Sequence, residues 1–255
     1  MAEQEQGSAQ PAFPQVRTIP TAAPLTWLAC GWVDLKSCPG PSLFYGACFA
    51  AMGFLLKFIF ANAYEHLATL TSGFLLLGPF LAIGLYEISR RRELGLGCSL
   101  APTLAAWRAN ASGIGLFSLV LIVVFLVWAR ASLVIFALFY TSEMPTLAGF
   151  MQQVLSIDNI EFLGVYFAVG SIFAVIVFAL SVISIPLMLD RNQDTITAMI
   201  ASVLALTRNA PAMALWAALI VLATTLGLLT FFLGLIVTMP LIGHATWHAY
   251  RDLVG

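Results

Sequence analysis

The stretch GIGLFSLVLIVVFLVWARASLVIFALFY (113–140) holds one charged side chain, Arg130, in an otherwise apolar run. A helix rises about 1.5 Å per residue, so about 20 apolar residues cross a hydrocarbon core of roughly 30 Å. This run exceeds that length, which makes lipid the solvent of at least this segment. Five further apolar runs, at 43–61, 67–88, 162–189, 212–228 and 229–250, extend the reading to most of the chain. The division of 212–250 into two spans is placed in the glycine-bearing stretch 227–234, where a tight turn is permitted.

The composition agrees: 61% of the 255 residues are hydrophobic and 9% charged, far from the balance of a water-soluble domain. Eleven Lys and Arg against twelve Asp and Glu leave a net charge of -1, which offers no field for nucleic acid. Residues 1–23 are rich in Gln, Ala and Pro and lack the apolar core of a secretory signal, so they are expected to form a disordered cytoplasmic arm ahead of a single transmembrane domain, 24–255.

Orientation follows from the basic residues, which collect on cytoplasmic flanks. Arg17, Lys36, Arg90, Arg91, Arg92, Arg108, Arg191, Arg208 and Arg251 fall on one side of a six-span arrangement. The opposite connections, 62–66 and 141–161, contain Glu65, Glu143, Asp158 and Glu161 but no Lys or Arg. Both termini are therefore expected in the cytoplasm. Lys57 and Arg130 lie toward the outer ends of their spans, where each either snorkels to the headgroups or pairs with Glu65, Glu143 or a lipid phosphate.

Three cytoplasmic segments each precede a pair of spans and carry an apolar stripe at helical spacing. They are 24–37 (Leu25, Leu28, Trp32, Leu35), 99–110 (Leu100, Leu104, Trp107) and 194–209 (Ile196, Met199, Ile200, Val203, Leu206), with Ser99 and Asp194 as candidate N-caps. Each reads as a short amphipathic helix in the membrane interface. The fold expected is all-α: a polytopic six-helix transmembrane bundle with three interfacial helices, a threefold repeat of helix plus hairpin. Pro79, Pro186 and Pro240 recur toward the cytoplasmic ends of the closing spans. Small residues, such as Gly46 with Ala50 and Gly53, or Gly164 with Ala168, suit close helix contact.

Chemistry is sparse. His244 and His248 stand four apart on one helix, and the repeat alignment brings Glu87 to their depth, so these three are the candidates for a metal or haem site. The alternative makes them hydrogen-bonding members of an aromatic belt with Tyr86, Trp247 and Tyr250. Asp190, Arg191 and Asp194 are read either as a docking loop for a cytoplasmic partner or as a salt bridge and a helix cap. Cys30, Cys38, Cys48 and Cys98 show neither a CxxC pair nor the spacings of a disulfide framework, and read as packing residues. No nucleophile elbow, P-loop, HExxH or catalytic carboxylate pair is present, so no catalytic residue and no cofactor is assigned.

Four stretches in combination, GWVDLKSCPGPSLFYG (31–46), LLGPFLAIGLYEISRRRELG (76–95), SVISIPLMLDRNQDTITA (181–198) and PLIGHATWHAYRDLV (240–254), resemble the bacterial family of predicted integral membrane proteins called domain of unknown function 2189. The resemblance spans nearly the whole chain after the arm. It implies a bacterial inner-membrane location and, from genes near those of cytochrome oxidase, a possible respiratory partner; it implies no active-site residue. The expected function is that of a non-enzymatic accessory or assembly factor, with a small-solute transporter or channel opening to the cytoplasm as the alternative.

Overall fold

The computed structural model describes residues 13–62, 67–139 and 160–254, with the side chains of 60–77 left aside. Among the described residues the chain is helical with no strand. The helices are α1 (Ala23–Ser37), α2 (Pro39–Asn62), α3 (Leu67–Glu93), α4 (Leu100–Leu104), α5 (Ala111–Phe139), α6 (Ile160–Ser181), α7 (Ser184–Arg191), α8 (Thr195–Arg208), α9 (Ala210–Leu229) and α10 (Leu235–Val254). Glu65, His66, Glu143 and Asp158 lie outside the described residues.

Local chemistry sets the breaks. Pro39 drives Cys38 out of the helical region, to φ -128° and ψ 58°, so α1 stops there and α2 begins on the proline itself. Asn192 takes a left-handed conformation between α7 and α8, and Asp194 caps α8 by accepting from the Thr197 N–H at 2.9 Å, as expected. Ser99 occupies the position before α4 without a side-chain cap bond. The segment 99–110 is α4 followed by a 3-10 turn, Ala106–Asn110, rather than one helix.

The turn between α9 and α10 falls within the stretch anticipated, but its glycines play another part. The left-handed residues are Phe231 and Phe232, and the Thr230 hydroxyl accepts from the Gly234 N–H at 2.9 Å to close the turn. Gly227 is needed for closeness instead, since a Cβ there would meet Leu235 at 2.6 Å.

Four helical stretches are long and apolar enough to cross a membrane: Pro39–Ile59, Leu100–Phe139, Ile160–Arg191 and Ala210–Leu229. That count is over the described residues, which exclude the side chains of the first part of α3. The helix α10 is not among the four because its second half carries His244, His248, Arg251 and Asp252.

The core sits at the charged end of the molecule. There α10 packs against α1, α2, α3 and α9, burying Trp27, Trp216, Trp247 and Tyr250 with Ile183, Leu187 and Met188. Along the spans large apolar side chains stay open, for example Leu138 at 74% and Val221 at 64%.

In α8 most of the apolar stripe turns away from the bundle, whereas α1 and 99–110 each bury part of theirs. The bundle-facing residues of α1 are Trp27, Gly31, Asp34 and Leu35, while Leu25, Trp32 and Val33 point outward. In α8 the buried residues are Thr195, Ala198, Ala201, Ser202 and Ala205, and Ile196 and Ile200 are exposed. In α4 Thr103 is buried and Leu104 exposed.

The arm expected to be disordered over 1–23 is held in its second half. The Arg17 N–H donates to the Leu253 carbonyl at 2.8 Å, and Asn209 grips both sides of the strap, accepting from the Ile19 N–H at 2.9 Å and donating to the Arg17 carbonyl at 3.0 Å. Val16 and Phe13 join the core, so 13–22 has the apolar anchors that composition alone concealed. Residues 1–12 lie outside the described residues.

Candidate functional site: a buried polar knot

The proline that separates α1 from α2 leaves Asp34 one turn from the end of α1, on the face that meets α3 and α10. Asp34 is 1% exposed. A carboxylate so deeply buried stays charged only if its oxygens are coordinated. One oxygen pairs with the Arg92 guanidinium at the end of α3. The other accepts from the Ser89 hydroxyl at 2.6 Å and from His248 Nε2 at 2.9 Å. Burial pushes the Asp34 pKa up, but the hydrogen bonds from His248 and Ser89, with the charges of His248 and His244, outweigh it and hold the group below its ordinary value.

The chain of contacts continues inward. His244 Nδ1 lies 2.8 Å from Ser89 Oγ, and its Nε2 lies 2.9 Å from Ser42 Oγ on α2. The one hydroxyl hydrogen of Ser89 is committed to Asp34, so His244 Nδ1 donates to Ser89; the one hydrogen of Ser42 is shared between two neighbours, the Cys38 carbonyl at 2.7 Å and His244 Nε2. Ser42, Ser89 and His244 are each fully buried. Four helices, α1, α2, α3 and α10, thus meet on one polar thread.

A second cluster lies nearer the surface. Arg90 bridges Glu87 and Asp190, at 3.3 Å each, and Arg251 reaches Glu93 at 3.4 Å and Asp190 at 3.6 Å. The Tyr250 hydroxyl donates to Asp190 at 2.7 Å, and Arg191 donates to the Val254 carbonyl at 2.6 Å.

Several sequence-based expectations are corrected here. His248 is drawn to Asp34, His244 to Ser89 and Ser42, and Glu87 to Arg90, so the three do not converge; among the described residues no group of three His, Cys, Asp or Glu could hold a metal ion. The aromatic belt is not one either: Trp247 and Tyr250 are core residues at 1% and 0% exposure, because α10 is enclosed by other helices. Asp190 and Arg191 do not pair with each other but each clamps a different part of α3 or α10. Lys57 is exposed on α2 with its Nζ 5.8 Å from the centre of the Phe231 ring, and Arg130 is exposed on α5.

Cys38 and Cys98 form a disulfide across a separation of 60 residues, contrary to the reading of all four cysteines as packing residues; Cys30 and Cys48 are free. Sequence reasoning missed Asp34, Ser42, Ser89 and Arg92. A usable signal was present in Asp34, a carboxylate between Val33 and Leu35 on a helix of otherwise low charge.

An open cleft of about 400 Å³ lies where α5 begins, lined by Asn110, Ser112, Gln193, Asp194 and Thr195. Asn110 closes one wall by donating to the carbonyls of Gln193 and Met188 at 2.8 and 3.3 Å.

No curated protein and no solved structure matches the chain. One family model does, over residues 67–190, a little under half of the length. Of the four stretches that carry the resemblance, only 76–95 lies wholly inside that match; 31–46 and 240–254, which supply Asp34, Ser42, His244 and His248, lie outside it. Over residues 67–190 the chain is similar to the family described as Predicted integral membrane protein (DUF2189).

Proposed function

We propose that this is a six-span, non-enzymatic protein of a bacterial inner membrane that works by contact with another membrane protein, as an accessory or assembly factor; the family resemblance suggests a respiratory complex as that partner. The observation that carries the reading is the closure of the polar knot. Side chains that a pathway or an active site must expose are turned onto one another: Ser42, Ser89 and His244 have no exposed surface, and Asp34 almost none. The residue types Ser, His and Asp suggest a nucleophilic relay, but Ser89 stands between the ring and the carboxylate, and Ser42 has no room for a substrate.

Six spans are supported by α3 following α2, and α10 following α9, each as the return arm of a hairpin. The element order, α1 before α2–α3, α4 before α5–α6 and α8 before α9–α10, supports the threefold unit. The outward apolar faces of α1, α4 and α8 suit helices lying on lipid at the charged end, which the basic residues assign to the cytoplasm.

Extraction in mild detergent is expected to recover a partner at fixed stoichiometry; isolation as a lone species in several detergents contradicts the contact reading. The transport alternative requires water at the knot. Ser42→Cys and Ser89→Cys are expected to resist a soluble maleimide in membranes, and ready labelling of both favours transport.

A further inference from the structure

We infer that Cys38 and Cys98 are a reversible thiol–disulfide pair, a modification site that staples segment 94–99 to the α1–α2 junction when oxidised and frees it when reduced. The inference rests on the proposed orientation: the pair lies at the charged end, and in the cytoplasm small thiols keep lasting structural disulfides rare. Geometry permits the bond, since the Cα atoms are 5.4 Å apart.

The two cysteines differ in access. Cys38 is 1% exposed, packed with Tyr45, Leu85 and Ile88, whereas Cys98 is exposed in a segment where Gly95 and Gly97 take left-handed conformations. A low-molecular-weight disulfide therefore meets Cys98 first. The Cys98 thiolate attacks one of its sulfurs and expels a thiolate, leaving a mixed disulfide on Cys98. The Cys38 thiolate then attacks Cys98 Sγ and expels the second thiolate. Two protein thiols lose two electrons, the small disulfide becomes two thiols, and the cysteine protons end on the departing thiolates.

The staple borders the knot directly. The Cys38 N–H donates to the Asp34 carbonyl at 2.9 Å, and the Cys38 carbonyl accepts from Ser42 at 2.7 Å. On the other side, the Gly95 N–H donates to the carbonyl of Arg92, the cation that pairs with Asp34. Release of 94–99 thus loosens the last turn of α3, where Arg90, Arg91 and Arg92 offer trypsin its sites.

The test equilibrates full-length protein in membranes with mixtures of reduced and oxidised glutathione, quenches with acid, and counts free thiols after denaturation. Two of the four cysteines are expected to pass from blocked to free as the mixture becomes reducing, and tryptic cleavage at 90–92 to rise roughly fivefold. In Cys98→Ala, three thiols should label at every ratio. A pair that stays oxidised, or stays reduced, at all ratios overturns the inference, as does a transition that survives in Cys98→Ala. A carboxyl-terminal compartment reporter on the same protein separates the causes: a reporter outside overturns the orientation and the inference together, whereas a reporter inside with an unresponsive pair overturns the inference alone.

Discussion

Asp34 concentrates the energetics of the charged end. Removing the carboxylate charge leaves Arg92 and His248 facing a neutral, buried partner, and breaking such a pair costs about 3 kcal/mol. Asp34→Asn is therefore expected to lower the midpoint of thermal unfolding in detergent near pH 7 by several degrees. The pH dependence has a definite sign. The folded-state pKa is depressed, so the stabilisation is fully present above the unfolded value of about 3.9 and is lost as pH falls through the folded value. Between about pH 5 and about pH 3 the wild type should lose stability more steeply than Asp34→Asn; parallel profiles contradict the assignment. The groups facing Asp34 are Arg92, His248 and, through Ser89, His244. His244 and His248 were legible as candidates from their spacing, but their partner was not. An alignment of repeats gives depth along a helix and not the direction around it, so Glu87 stood in for Asp34.

At the scale of the element, periodicity located the surface segments but did not say which side of each the bundle buries. Leu25 and Trp32, or Ile196 and Ile200, do form stripes, but a stripe states which face is apolar and not whether protein or lipid covers it. In α8 the small and polar face goes inward, while α1 buries Trp27 and Leu35 beside Gly31 and Asp34. The same packing makes Gly46 critical, because a Cβ there would collide with the backbone of Ile236 on α10. Gly46→Ala is expected to force α2 from α10 and destabilise by roughly 2 kcal/mol. Gly40, also on α2, has nothing within 4 Å of a built Cβ, and Gly40→Ala should unfold at the wild-type temperature. Equal midpoints for the two variants contradict the close approach. Gly164 is likewise open and Gly53 meets only the ring of Phe232 in the α9–α10 turn, so the reading of close helix contact holds for Gly46 and not for every glycine on a span.

For the molecule as a whole, lipid as solvent was legible from 113–140 alone, because length and hydropathy are properties of the chain itself. The disulfide was not, since nothing in the spacing of Cys38 and Cys98 says that segment 94–99 folds back onto the start of α2. The bound strap at 13–22 escaped for the same reason, as its partners Asn209 and Leu253 lie at the far end of the sequence. Both features gather at the end that holds the polar knot, and which compartment that end faces governs how its charges and thiols behave. Compartment reporters fused after residue 254 and inserted within 141–159 measure this directly. The account predicts the first inside the cell and the second outside; a carboxyl-terminal reporter outside, or both reporters on one side, contradicts it.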